Sequence, residues 1–167
     1  MADVPQITVD ELVARHEVLL LDAYGVLMDS SGALSGAVEL IDRLNRAGRP
    51  YHILTNDSSR LPATSADRYR SFGLDIDADR IVSSGSLIAH YFQSQSLAGA
   101  RCAVLGTGDS LRYVEGAGGH VVPPDESFDV LVIGGVSGFP FIETMDSVLS
   151  TLLRRMDEDA KVHLVLM

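Results

Sequence analysis

Val18-Leu19-Leu20-Leu21-Asp22-Ala23-Tyr24-Gly25-Val26-Leu27 is the stretch on which the fold turns. Val18 to Leu21 is a continuous apolar run of strand length, and such runs suit a strand buried on both faces of a parallel sheet. The run stops at Asp22, and Gly25 follows within a turn's reach. An aspartate in that place is a carboxylate delivered to the end of a strand, able to attack phosphorus and form an acyl phosphate. An ordinary helix-capping or turn aspartate fits the same stretch taken alone.

Working outward, Ala37, Leu40, Ile41 and Leu44 repeat at helical spacing, and Gly48 closes that segment as a C-cap. Tyr51 to Leu54 is a second strand-like run, ending at Thr55-Asn56. The order is strand, helix, strand, with polar residues at the carboxyl end of each strand, the edge at which open α/β sheets bind ligands. The pattern continues with a helix over Ala63–Phe72 and a short strand at Ile81-Val82. A helix over Leu87–Phe92, a strand over Cys102–Leu105 and a helix from Ser110 to Val114 come next. A strand over Val130–Ile133, a long helix over Phe141–Met156 and a strand over Val162–Leu166 complete it. The acidic stretch Asp75 to Asp79 marks a modest boundary. The expected class is α/β.

Composition narrows the roles. At 167 residues with 46% hydrophobic content, the chain can bury a core. A net charge of −10 repels phosphate backbones and anionic membranes, so nucleic acid and membrane surfaces are poor partners. The single cysteine, Cys102, cannot form an internal disulfide and reads as a small buried hydrophobe. Met1 to Glu11 is polar and acidic, without the apolar segment of a signal peptide. These features point to a cytoplasmic protein.

A second chemical motif is Ile53-Leu54-Thr55-Asn56-Asp57-Ser58-Ser59-Arg60. A hydroxyl and a run of backbone N–H groups at a strand end can hold a phosphoryl oxygen. Read alone, the loop equally caps the next helix. Gly106-Thr107-Gly108 is a partial glycine loop without dinucleotide spacing, and Asp75, Asp77 and Asp79 lack the glycine and distal glutamate of a calcium loop. The five histidines are scattered, with no pair at metal-site spacing.

Together the Asp22 and Thr55 motifs resemble the first and second motifs of the haloacid dehalogenase superfamily. The run Thr55-Asn56-Asp57-Ser58-Ser59-Arg60 is similar to the branch holding para-nitrophenyl, phosphoglycolate, pyridoxal and nucleotide phosphatases, and the resemblance extends over essentially the whole chain. It implies a partial Rossmann-like parallel sheet, the N-terminal half of a hydrolase core over residues 1–77, with a smaller inserted α/β cap over 78–167. Thr55 stands 33 positions after Asp22, room for one helix and no early cap.

The resemblance implies a magnesium-dependent phosphomonoester phosphatase acting on a small phosphorylated metabolite. Asp22 would be the nucleophile, and Gly25, Thr55, Asn56 and Asp57 would hold the substrate. Mg2+ would sit on Asp22 and the carbonyl of Tyr24. Two departures stand out. The aspartate expected two residues after the nucleophile, which serves as acid and base, is here Tyr24, a weak base at neutral pH. The lysine and acidic pair of the third and fourth motifs have no counterpart, since Lys161, the one lysine, comes too early and reads as solvated. The 167 residues by themselves are therefore expected to carry an incomplete site. Two alternatives stay open: a dehalogenase-like hydrolase, suggested by Tyr24, and a non-catalytic member or fragment. Homo-oligomerisation is left open as well.

Overall fold

The computed structural model describes residues 6–167. Met1 to Pro5, the start of the polar N-terminal stretch, lie outside the described residues. The chain divides into two compact units. The first takes in residues up to Thr55 together with Ser65–Val82, the second Asn56–Thr64 together with Ser83–Met167.

The first unit begins with a short helix α1 (Val9–Arg15), which buries none of its residues completely. Its start is fixed by a capping box: the Thr8 hydroxyl accepts from the Glu11 amide, and the Glu11 carboxylate accepts from the Thr8 amide. Strand β1 (Leu19–Asp22) follows, then α2 (Ala37–Arg46), β2 (Tyr51–Thr55), α3 (Pro62–Ser71) and β3 (Ile81–Ser83). The three strands form a sheet in the order β1-β2-β3, with β1 and β2 parallel and in register from Leu19 opposite Tyr51 to Asp22 opposite Leu54. Helix α2 buries Ala37, Ile41 and Leu44, one helical face, and these meet Tyr51 and Ile53 in a common core. The strand–helix–strand expectation therefore holds here.

The second unit contains α4 (Ile88–Ser94), β4 (Arg101–Leu105), α5 (Gly108–Gly116), β5 (His120–Val121), β6 (Val130–Ile133), α6 (Phe141–Asp157) and β7 (His163–Leu166). Its sheet runs β5-β4-β6-β7, parallel throughout. Alternate strand residues serve opposite faces, as the two-residue period requires. Cys102, Val130 and Val132 pack with Phe92 of α4 and Val114 of α5, whereas Ala103, Leu105 and Leu131 pack with Val148 of α6. The sheet is thus covered on both sides, which explains its nearly continuous apolar strands.

The architecture is α/β with parallel sheets, as the sequence led us to expect. Strand β5 and helix α1 are elements the sequence reading did not anticipate. Among the described residues no helix is long and apolar enough to cross a membrane.

Candidate active site

In the first unit the carboxyl end of the sheet is marked by Asp22. The chain then turns sharply. The buried carbonyl of Ala23 accepts from the amides of Leu27 and Met28 at 2.9 and 3.1 Å and, more weakly, of Val26 at 3.4 Å, while the Gly25 amide donates to Met28 at 2.7 Å. Gly25 sits at φ +85°, where an L side chain is strained although no neighbouring atom would block one. Leu27 and Met28, both almost fully buried, anchor the turn from below. The effect is to leave Asp22 exposed on a rigid support. One of its oxygens, Oδ1, accepts the Ala23 amide at 2.8 Å, which orients the carboxylate.

Tyr24, two residues on, is 61% exposed, so its ring belongs to the surface rather than the core. Thr55 ends the neighbouring parallel strand one residue past the partner of Asp22. Asp22 and Thr55 therefore lie at the same edge of adjacent strands, which pack about 4.8 Å apart.

Asn56 and Asp57 fall in the second unit. Asn56 is exposed, and its carbonyl accepts from the Ser84 hydroxyl at 3.1 Å. The Asp57 carboxylate accepts from the amide and hydroxyl of Ser59 and from the Arg60 guanidinium at 2.6 Å. Partial burial pushes its acidity toward a higher pKa, but these donors outweigh that and hold it below the usual value. This carboxylate shapes its own loop. The Ser59 amide is spent in doing so.

The remainder of the loop is gripped from the carboxyl edge of the second sheet. The buried Ser58 hydroxyl donates to the Gly134 carbonyl, just past β6, at 2.7 Å. Thr107 and Ser110, in the capping box of α5, donate to the carbonyls of Ser59 and Ser58. Asp109 accepts from the Leu61 amide at 3.0 Å, and the Tyr113 hydroxyl donates to the Arg60 carbonyl at 2.9 Å. Gly106 is demanded by this packing: a Cβ there would stand 2.5 Å from the Ser110 hydroxyl. The glycine-threonine-glycine stretch noted in the sequence is therefore a packing joint. The side chains of Asp109, Ser110 and Tyr113 carried no local signal of their role.

The oxygens at the end of β1 suit a hard cation. The Asp22 carboxylate and the Tyr24 carbonyl are of the type magnesium takes, and among the described residues none of the turn's amides is spent on that carbonyl. No group of three or more His, Cys, Asp or Glu able to hold a metal occurs among the described residues. Two oxygens of this type would fill only part of a magnesium shell, the rest falling to water or other ligands.

The chain was compared with known proteins. The family model described as haloacid dehalogenase-like hydrolase matches residues 19–120. An acid sugar phosphatase of Staphylococcus aureus (strain USA300) is 31% identical over 120 residues, 72% of this chain and 46% of its own length. Among solved structures, a "possible sugar phosphatase, HAD superfamily" from Cytophaga hutchinsonii superposes with a TM-score of 0.75 at 31% identity, covering 87% of this chain and 54% of that one. A glycerol phosphate phosphatase from Mycobacterium tuberculosis, solved in complex with magnesium, has a TM-score of 0.70 at 21% identity, over 84% of this chain and 42% of that one, a likeness of fold. The chain spans about half the length of the curated relatives it matches.

Proposed function

Because the chain belongs to the haloacid dehalogenase-like hydrolases, we propose that its protein hydrolyses a small phosphomonoester through a phosphoaspartyl intermediate on Asp22. The observation that carries this reading is the exposed Asp22 carboxylate, oriented by the Ala23 amide at the carboxyl end of a parallel strand beside the one that ends at Thr55. The names of the relatives at 31% identity support a sugar phosphate as the substrate class. We assign residues 1–77 to half of the hydrolase core and 78–167 to its cap, and the single buried thiol of Cys102 suits a reducing, cytoplasmic setting.

In the first step a carboxylate oxygen of Asp22 attacks phosphorus. The P–O bond to the leaving alcohol breaks, and the departing oxygen takes a proton. Thr55 and the amides that follow it hold the phosphoryl oxygens, whose charge they offset. In the second step water attacks the acyl phosphate, releases inorganic phosphate and restores the carboxylate. Asp22 and the Tyr24 carbonyl would hold Mg2+ in part, and the ion would supply positive charge against the repulsion between carboxylate and phosphate dianion. Tyr24 brings a phenol where the family pattern has a carboxylate, and a phenol that keeps its proton is a poor base for activating water. The second step is therefore the slow one.

The test is hydrolysis of 4-nitrophenyl phosphate and a panel of sugar phosphates by the protein at its natural full length, with and without magnesium. Hydrolysis that Asp22→Asn lowers by about three orders of magnitude or more supports the reading. Hydrolysis retained by that variant removes Asp22 from its role. Asp22→Asn should leave the fold intact, since residue 22 is exposed and an amide oxygen can still accept from Ala23.

A further inference from the structure

We infer that the first turns of α5 are the positioning scaffold of the phosphoryl-holding loop, with Thr107, Asp109 and Tyr113 as its positioning residues. The inference rests on the phosphatase reading above for its functional consequence, but the anchoring itself is a matter of geometry.

Consecutive backbone groups after Asp57 are taken up one by one. The carbonyl of Ser58 accepts from Ser110, that of Ser59 from Thr107 at 2.6 Å, and that of Arg60 from Tyr113; the amide of Leu61 donates to Asp109. One helix start thus fixes three successive peptide groups through four hydrogen bonds. Tyr113 is itself held: its hydroxyl, donating to Arg60, lies 2.7 Å from the Ser83 hydroxyl, which supplies the other hydrogen. Asp109 is nearly buried, which alone would raise its pKa, yet the hydrogen bonds from Thr64 and Leu61 and the charge of Arg112 hold it below the usual carboxylate value.

Of the peptides so held, the Ser59 amide is spent on Asp57 and the Leu61 amide on Asp109, so the grip acts by fixing the path of the loop, and an anion-holding loop needs its amides aimed together. Loops are otherwise mobile, and an error of about 1 Å in such a group can cost about a hundredfold in rate. None of these side chains is assigned a place on the substrate. Their effect is exerted through the loop.

The experiment compares Tyr113→Phe, Thr107→Val and Thr107→Ser with the parent at natural full length. Three readouts are used: amide hydrogen exchange of the 56–64 segment, kinetics on 4-nitrophenyl phosphate, and inhibition by inorganic phosphate. Tyr113→Phe keeps the packed ring and loses only the hydroxyl, so exchange in 56–64 should quicken about tenfold, the worth of one hydrogen bond, while the β1 and α2 segments stay unchanged. The value of kcat/KM should fall about 10- to 100-fold, mostly through KM, with a parallel rise in the phosphate inhibition constant. Thr107→Val should behave likewise, and Thr107→Ser should recover the parent's values.

Exchange and kinetics within about twofold of the parent for Tyr113→Phe and Thr107→Val overturn the inference. Faster exchange spread evenly over the chain also overturns it, because that reports general destabilisation. If the parent does not hydrolyse phosphate esters, the phosphatase reading fails separately. The inference then stands if inorganic phosphate protects 56–64 in the parent and not in Tyr113→Phe, and falls if phosphate protects neither.

Discussion

Asp22 stands opposite Leu54 in the parallel register of β1 and β2, one residue short of Thr55. That offset places a carboxylate and a hydroxyl at the ends of neighbouring strands. It arises from the apolar runs: Leu19 and Leu21 of β1 and Tyr51 and Ile53 of β2 face the core, and the polar residue that ends each run lies at the sheet edge.

Tyr24 is the residue most directly testable for turnover. With a solvent-exposed phenol where the family pattern expects a carboxylic acid, the phosphoenzyme should accumulate, giving a burst of alcohol release followed by a slow steady rate. Tyr24→Asp supplies an acid and base and should raise the steady rate by about 10²-fold or more, the usual worth of such a group. Rapid-quench kinetics on 4-nitrophenyl phosphate decide. A parent without a burst and a variant without a gain rule the account of Tyr24 out.

Much of this was legible in the chain itself. Strands β4 and β6 are short apolar runs because the second sheet is covered on both faces, whereas β1 and β2 are buried on one face and leave Leu20 and Leu54 exposed, a departure from the two-sided burial their apolar runs suggested; α2 shows its face through Ala37, Ile41 and Leu44. Helix α1 was not legible from periodicity because it buries nothing completely and depends on the Thr8–Glu11 box. Strand β5 is only His120–Val121, too short to carry an alternation, and it exists because β4 offers it an edge. Asp22 could be found because it interrupts an apolar run. The sequence places Asp57 among the residues that would hold the substrate, and the structure adds that its carboxylate accepts from Ser59 and Arg60. The grip of Asp109 and Tyr113 on Leu61 and Arg60 spans about fifty residues of sequence, a tertiary contact with no local signature.

Acid stability should report Asp109 and Asp57. Both have pKa values lowered by folding, because hydrogen bonds and neighbouring arginines outweigh burial. A lowered carboxylate contributes stability that is fully present above its unfolded value, about 3.9, and is lost as pH falls through its folded value. Thermal unfolding followed from neutral pH downward should therefore show a steep loss beginning near pH 4. Asp109→Asn should flatten that slope while lowering stability at neutral pH. A slope identical to the parent's contradicts the assignment.

Cys102 should be chemically silent in the folded protein. Its side chain is fully buried and donates to the Ala100 carbonyl, and burial pushes its pKa up to about 11. A thiol kept protonated and covered should not react with a disulfide reagent at pH 8, and should react at once in denaturant. Stoichiometric labelling under native conditions would show that the second sheet opens readily.

The central claim is that Asp22 becomes phosphorylated. The full-length protein, mixed with 4-nitrophenyl phosphate and magnesium and quenched in acid, should yield a peptide spanning β1 and its turn that carries one phosphoryl group on Asp22. The label should be lost on treatment with hydroxylamine, as an acyl phosphate is, and absent from Asp22→Asn. Turnover with the phosphoryl group on a serine or threonine, or with no covalent label in parent or Tyr24→Asp under rapid quench, would contradict the account.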